Sequence, residues 1–394
     1  MTTARWNLLL YAIAGDTREH QAVLAELDDM REALTTDQCQ IAAQVMTRRR
    51  TTRYWISAGD RTRTEVLPEP ADASRQTALT GFLNAAARRF PAESTALVLR
   101  AHGSGLDHIH DYPSKGDGLG GGLFAAAPWR DPRLDRLGLH EPIGRPESYG
   151  CRWGPDPTTG RFLTNVTMKK AIAASSAGRV DVLALNACWM ATLEIEYELR
   201  SVAAIEVASQ VNARPWPYRA IVAALSHDPA RSADDLARLI VTSVADEIAR
   251  DVRQDAVSAL RSGAAIEELA AAFDGYAQRV SALIDSDWDA VCEAVMTRAQ
   301  RIDDPLQVDL VALTRVLGDR DPAAKAAAEV VRSRFGAMRI ASAAHAAHPG
   351  VHGLSIFCPK STRIDLADAY KGTEFRTHGW AAFLDKFQRR LASS

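Results

Sequence analysis

Long apolar runs are missing near the start of this chain. The opening "MTTARWNLLLYAIAGDTREH" holds an apolar stretch of about nine residues before Asp16 and further charges interrupt it, too short to span a bilayer. It also lacks the layout of a signal peptide, so a cytoplasmic protein is expected. Cysteine is sparse and scattered: Cys39, Cys151, Cys188, Cys292 and Cys358 include no CxxC pair. That argues against both a disulfide framework and a structural zinc site, and most of the five should be reduced and buried. Neither sign of charge dominates, with 47 Lys and Arg against 49 Asp and Glu. Without a strong basic field, a nucleic-acid partner is not indicated. With 47% hydrophobic and 24% charged residues the chain is not disordered, and no internal repeat is visible. A protein or small-molecule partner remains, acting on a chain whose 394 residues allow one elaborated domain or two to three ordinary ones.

What is present alternates in the manner of a parallel α/β sheet. Trp6 to Ala14 is nearly continuous apolar, as a central strand buried on both faces would be, and Asp16 or Thr17 can cap a helix reaching about Leu34. "CQIAAQVMT", "TRYWIS" and "TEVLP" read as a strand and a small hairpin, a helix follows from about Arg75 to Phe90, and "STALVLRAHG" is a strand ending on His102 and Gly103. From Ser104 to Arg161 periodicity is lost among Gly, Pro and Asp, an excursion of the kind that is usually functional or mobile. Then "NVTMKKAIAAS" is helical, "RVDVLALNAC" a buried strand, "TLEIEYELR" a helix and "AAIEVAS" a strand. Residues 226–350 are alanine-rich and read as almost wholly helical, opening on a Ser232 cap with an acidic residue three later. After them "VHGLSIFCP" is a strand and "EFRTHGWAAFLDKFQRRL" a closing helix. The expected organisation is a core over 1–225, a helical subdomain or insertion over 226–350, and a strand and helix over 351–394 that return to the core.

Two reactive residue types occupy equivalent places. His102 ends one strand and Cys188 follows another, each at a carboxyl end, where ligands bind in open parallel sheets. If the strands are neighbours, imidazole and thiol share a crevice. An unperturbed thiol, with a pKa of about 8.5, is only slightly ionised at neutral pH, and His102 would supply the base it needs. Gly103 leaves its N–H open, and with the N–H of Cys188 it could form an oxyanion hole. The competing reading is a buried core cysteine, which is how Cys39, Cys358 and Cys292 are read.

The blocks "LLLYAIAGD", "ALVLRAHGSG", "VDVLALNACWMATLEIEYEL", "GLSIFCP" and "HGWAAFLDKF" resemble the ordered blocks of the clostripain-like cysteine peptidases, relatives of the caspases, gingipains and separases. The most specific element is the Asp-Ala-Cys-Leu-Met pattern before an acidic, aromatic-bearing helix. It reads here as Asn186, Ala187, Cys188, Trp189 and Met190, then Glu194, Glu196 and Tyr197. The resemblance implies a caspase-like α/β/α sandwich with a mostly parallel central sheet, here with an added helical subdomain. It implies Cys188 as nucleophile, His102 as its base and acid, and hydrolysis of protein substrates through an acyl-enzyme. Calcium dependence and self-cleavage occur in the family, but no ligands or cleavage residues for either are identified. Such proteases also serve in defence or programmed death by activating a pore-forming partner such as a bacterial gasdermin. The family's preference for a basic P1 residue goes with acids near the nucleophile. Here Asn186 stands in place of one, and Ser209-Gln210 ends a strand where another is common. A basic P1 without a carboxylate would bury an unpaired charge, so an uncharged P1 is expected. Trp216 and Tyr218 are read as part of the substrate groove or as loop packing.

Three other features are weighed. His102, His108, His110 and Asp111 lie close in sequence but match no familiar metallohydrolase spacing and read as a polar loop. "KGDGLGGG" lacks the context of a phosphate loop and reads as a flap. The acidic "LEIEYELR" reads as a solvated helix face rather than calcium ligands. The reading from a different class is a caspase-like module that binds a partner without cleaving it.

Overall fold

A computed structural model describes residues 3–59, 61–103, 152–250, 255–301, 306–360 and 364–393. Its strands in chain order are β1 (Ala4–Ile13), β2 (Cys39–Met46), β3 (Thr51–Ser57), β4 (Arg61–Val66), β5 (Ala92–Arg100), β6 (Arg152–Pro155), β7 (Phe162–Thr164), β8 (Val180–Asn186), β9 (Ala203–Ala208), β10 (Ala256–Arg261), β11 (Gln307–Asp309), β12 (Arg339–Ala344) and β13 (Ser355–Phe357). Nine of them form one sheet in the order β12-β10-β9-β8-β5-β1-β2-β3-β4. The middle run β9-β8-β5-β1-β2 is parallel throughout, and antiparallel strands extend it at both flanks.

Strand β1 shows why this sheet is buried on both faces. Leu9, Tyr11 and Ile13 enter one core, while Leu8, Leu10 and Ala12 enter the other. The same alternation puts Leu183 and Leu185 of β8 in the first core and Val182 and Ala184 in the second. Helices Gln76–Arg89, Asn165–Ala173, Leu193–Leu199, Ala264–Ser286 and Gly379–Ala392 cover the first face. Helices Thr17–Ala33, Tyr218–His227 and Ala233–Ala249 cover the second, giving the α/β/α sandwich. Asp16 caps the first helix by accepting from Glu19 N, and Ser232 and Asp235 form a capping box.

Residues 226–350 differ from their reading as almost wholly helical. Helices Ala264–Ser286, Leu310–Gly318 and Pro322–Met338 form as alanine-rich periodicity predicts, but β10 and β12 lie among them and extend the central sheet. "AVSALR" and "RIASAA" are six-residue segments of small and apolar residues, too short for period to separate strand from helix. The "LSIF" strand, β13, pairs with β11 in a small separate sheet, and Ser355 bridges to Thr192 beside the end of β8.

Candidate active site

Three neighbouring parallel strands, β1, β5 and β8, deliver side chains to one sheet edge. In the β5–β8 register the last paired residues are Arg100 and Asn186. His102 and Cys188 each follow by two residues, so the crossing connections bring together what lies 86 positions apart in sequence. The chains are close enough here that a Cβ on Gly103 would stand 2.4 Å from Cys188 O, 2.9 Å from Ala187 Cβ and 3.0 Å from Cys188 N. Only glycine fits at 103, because no side chain tip but backbone is in the way.

Cys188 sits on a tight turn. Trp189 has φ 56°, the left-handed region that costs a non-glycine residue about 1–2 kcal/mol. Backbone bonds from Trp189 N to Val211 O (3.1 Å) and Ala191 N to Ser209 O (2.9 Å) hold it there. The half-buried Sγ accepts from Ala213 N at 3.3 Å. Burial pushes this thiol above its ordinary pKa and the charge of Asp255 adds to that, while backbone N–H groups pull the other way without cancelling it. Burial is thus the dominant influence on this sulfur.

His102 is half-exposed, and its Nε2 lies 2.7 Å from Glu19 Oε1. Glu19 stands in the first turn of the helix that follows β1, and its Oε2 accepts from Gly15 N at 2.6 Å. Burial alone would raise the Glu19 pKa, but its hydrogen bond and electrostatic attraction to His102, the Gly15 N–H and Arg100 outweigh burial and hold it below the ordinary value. Reading along the sequence did not single out Glu19. An acid one turn past β1 becomes informative only once β1 is known to border β5.

The residues expected around a substrate, Asn186, Ser209, Gln210, Trp216 and Tyr218, are all buried. Asn186 is buried; its Nδ2 donates to Arg214 O (2.8 Å) and its Oδ1 accepts from Tyr218 Oη (2.8 Å) and Trp216 N (3.3 Å). It fastens the 213–218 segment that carries Ala213 onto the sulfur. Trp216 and Tyr218 are buried in the second core, which is the loop-packing alternative. Ser209 Oγ donates to Val211 O at 3.0 Å, and Gln210 donates to Asp309 Oδ2 (3.1 Å) and Ser355 Oγ (2.9 Å), both inside the protein. Gln210 thus ties the end of β9 to the small sheet.

The acidic helix is buried rather than solvated. Glu194, Glu196 and Glu198 are 0, 1 and 2% exposed, so they do not form a solvated face. Glu194 accepts from Phe357 N and Tyr370 Oη, Glu198 accepts from Lys169 Nζ and Glu374 N, and Glu196 lies against Glu206. Of the cysteines read as core, Cys39 and Cys358 are buried and Cys292 is half-buried. Cys151, His108, His110, Asp111 and the glycine-rich "KGDGLGGG" lie outside the described residues. Among the described residues no three His, Cys, Asp or Glu side chains are grouped to hold a metal, and no helix is long and apolar enough to cross a membrane.

A fold with thiol and imidazole at adjacent parallel strand ends defines a class, and sequence comparison gives the family. The clostripain family matches residues 151–363, more than half of the chain. The chain belongs to that family and is a cysteine-type peptidase. None of the curated proteins matches it in sequence. Among solved structures it is similar to a secreted C11 cysteine protease from Bacteroides thetaiotaomicron in complex with an irreversible peptide inhibitor. That likeness has a TM-score of 0.66 at 13% identity, over 95% of this chain and 99% of that one. It is similar too to an inactive zymogen C11 protease from Parabacteroides distasonis, with a TM-score of 0.64 at 16% identity, over 95% and 98% of the two chains. Both likenesses are of fold.

Proposed function

We propose that this peptidase is an endopeptidase in which Cys188 attacks the scissile carbonyl and His102 moves the protons. The observation that carries the reading is the β5–β8 pairing, which sets residues 102 and 188 at one edge with Gly103 packed on the Cys188 backbone. The imidazole takes the thiol proton as the S–C bond forms. The Gly103 and Cys188 N–H groups receive the carbonyl oxygen as it gains charge; such a donor contributes about 10²–10³ in rate. The C–N bond then breaks as the imidazolium protonates the leaving amine. Water, deprotonated by the imidazole, opens the thioester and returns the thiol.

An uncharged P1 residue is proposed as the preference. The neutral Asn186 and Gln210 are both spent on internal bonds, so neither offers a carboxylate to a cationic side chain. Incubating the wild type and Cys188→Ala with a proteome and sequencing the new N-termini tests both parts. Cleavages present only with the wild type, and carrying uncharged residues at P1, are expected. No wild-type-specific cleavage would defeat the endopeptidase reading. Uniform P1 Arg would defeat only the preference and direct attention to Asp255, whose charge reaches Cys188 and whose Oδ2 accepts from Arg214 N. The same data test a pore-forming target such as a bacterial gasdermin, and with it a role in defence. We place the activity in a reducing, cytoplasmic setting, consistent with the free thiols of Cys39, Cys188, Cys292 and Cys358; fractionation of cells tests this.

A further inference from the structure

We infer that Glu19 is a positioning residue that sets the tautomer of His102, an assignment that rests on the dyad reading above. Its two oxygens have separate tasks. Oε2 accepts from Gly15 N at 2.6 Å, and Oε1 faces the imidazole Nε2 at 2.7 Å. A carboxylate has no proton to give, so the bond to Nε2 is made by an Nε2–H donor. Neutral imidazole carries one proton, and placing it on Nε2 leaves the lone pair on Nδ1. That lone pair is what a general base needs to receive the thiol proton of Cys188.

The arrangement is fixed from both sides. Glu19 N donates to the Asp16 cap at 2.8 Å, which anchors the first turn of the helix. Farther along the same helix Glu26 accepts from Arg100 Nε at 2.9 Å and Nη2 at 2.9 Å, tying the helix to the strand that carries His102. The Gly15 donor belongs to the backbone and cannot be reversed, whereas the imidazole can exchange one tautomer for the other.

This gives an expectation that runs against side-chain size. In Glu19→Gln the amide oxygen must stay with Gly15 N–H, because an NH₂ there would face another donor. The NH₂ is then turned to the imidazole and donates to Nε2, driving the proton to Nδ1 and removing the base. Glu19→Ala instead removes the acceptor without putting a donor in its place. The isosteric change should therefore be the more damaging one, the reverse of what a packing role would give.

The test uses the full chain and iodoacetamide, which makes no demand on P1, with Cys188 alkylation followed by mass spectrometry at neutral pH. Relative to wild type, roughly tenfold slowing is expected in Glu19→Ala and roughly a hundredfold in Glu19→Gln, within the range of general-base effects. Nitrogen-15 NMR of the imidazole should show the Nε2–H form in wild type and the Nδ1–H form in Glu19→Gln, a signature that a loss of folding would not produce. Glu19→Gln alkylating as fast as Glu19→Ala, or keeping Nε2–H, would overturn the assignment while His102→Ala remained slow. Wild-type rates in His102→Ala would overturn the dyad itself, and this assignment with it.

Discussion

Gly103 shows how much at this site depends on single residues. Its backbone lies against Cys188 and Ala187 at distances where a methyl group has nowhere to go. Gly103→Ala is expected to push the two strand ends apart. Overpacking of this kind costs about 1–3 kcal/mol, and displaced amides should lower peptidase activity by more than the stability loss explains. Denaturant melts together with cleavage rates check both; an Ala variant as stable and active as wild type would show that the ends part freely. At this scale the sequence was a partial guide. Cys188, His102 and Gly103 are visible because each ends an apolar run. Glu19, the Ala213 N–H on the sulfur and the left-handed Trp189 are not, since each depends on what folds against it.

Among the elements, the short helix Leu193–Leu199 behaves least like its sequence. Its alternating acids look solvated, yet Glu194 and Glu198 are buried under N–H and O–H donors from neighbouring segments, and Glu196 is buried against Glu206. Burial, the main cause, pushes Glu194 up to about 7, and raises both members of the Glu196 and Glu206 pair. A carboxyl raised on folding holds its proton where the unfolded chain, at about 4.3, has lost it. Its contribution is complete below that value and is lost as pH climbs through the folded one. Glu194→Gln should therefore remove about 3 kcal/mol of the decline in stability between pH 4.5 and 7, by the linkage between proton uptake and folding. Urea melts at several pH values measure it; parallel pH curves for the two proteins would contradict it. Strands β10 and β12 are among the other elements missed, because alanine-rich segments of six residues carry no decisive period.

On the scale of the whole molecule, the α/β/α layering follows from strands such as β1 and β8 that are apolar on both faces, and this much is readable from residue order alone. Strand order is not. It is the placement of β1, β5 and β8 side by side that brings three distant residues to one sheet edge, with the segment after β9 lying over the thiol. The claim beneath all of this is that Cys188 reacts with the help of His102. A peptide electrophile with an uncharged P1, followed by mass mapping of all five cysteines, tests it most directly. Adducts on Cys188 in wild type, none in Cys188→Ala, and labelling slowed at least about a hundredfold in His102→Ala are the expected results. Labelling of Cys188 at the same rate with and without the imidazole would contradict the account.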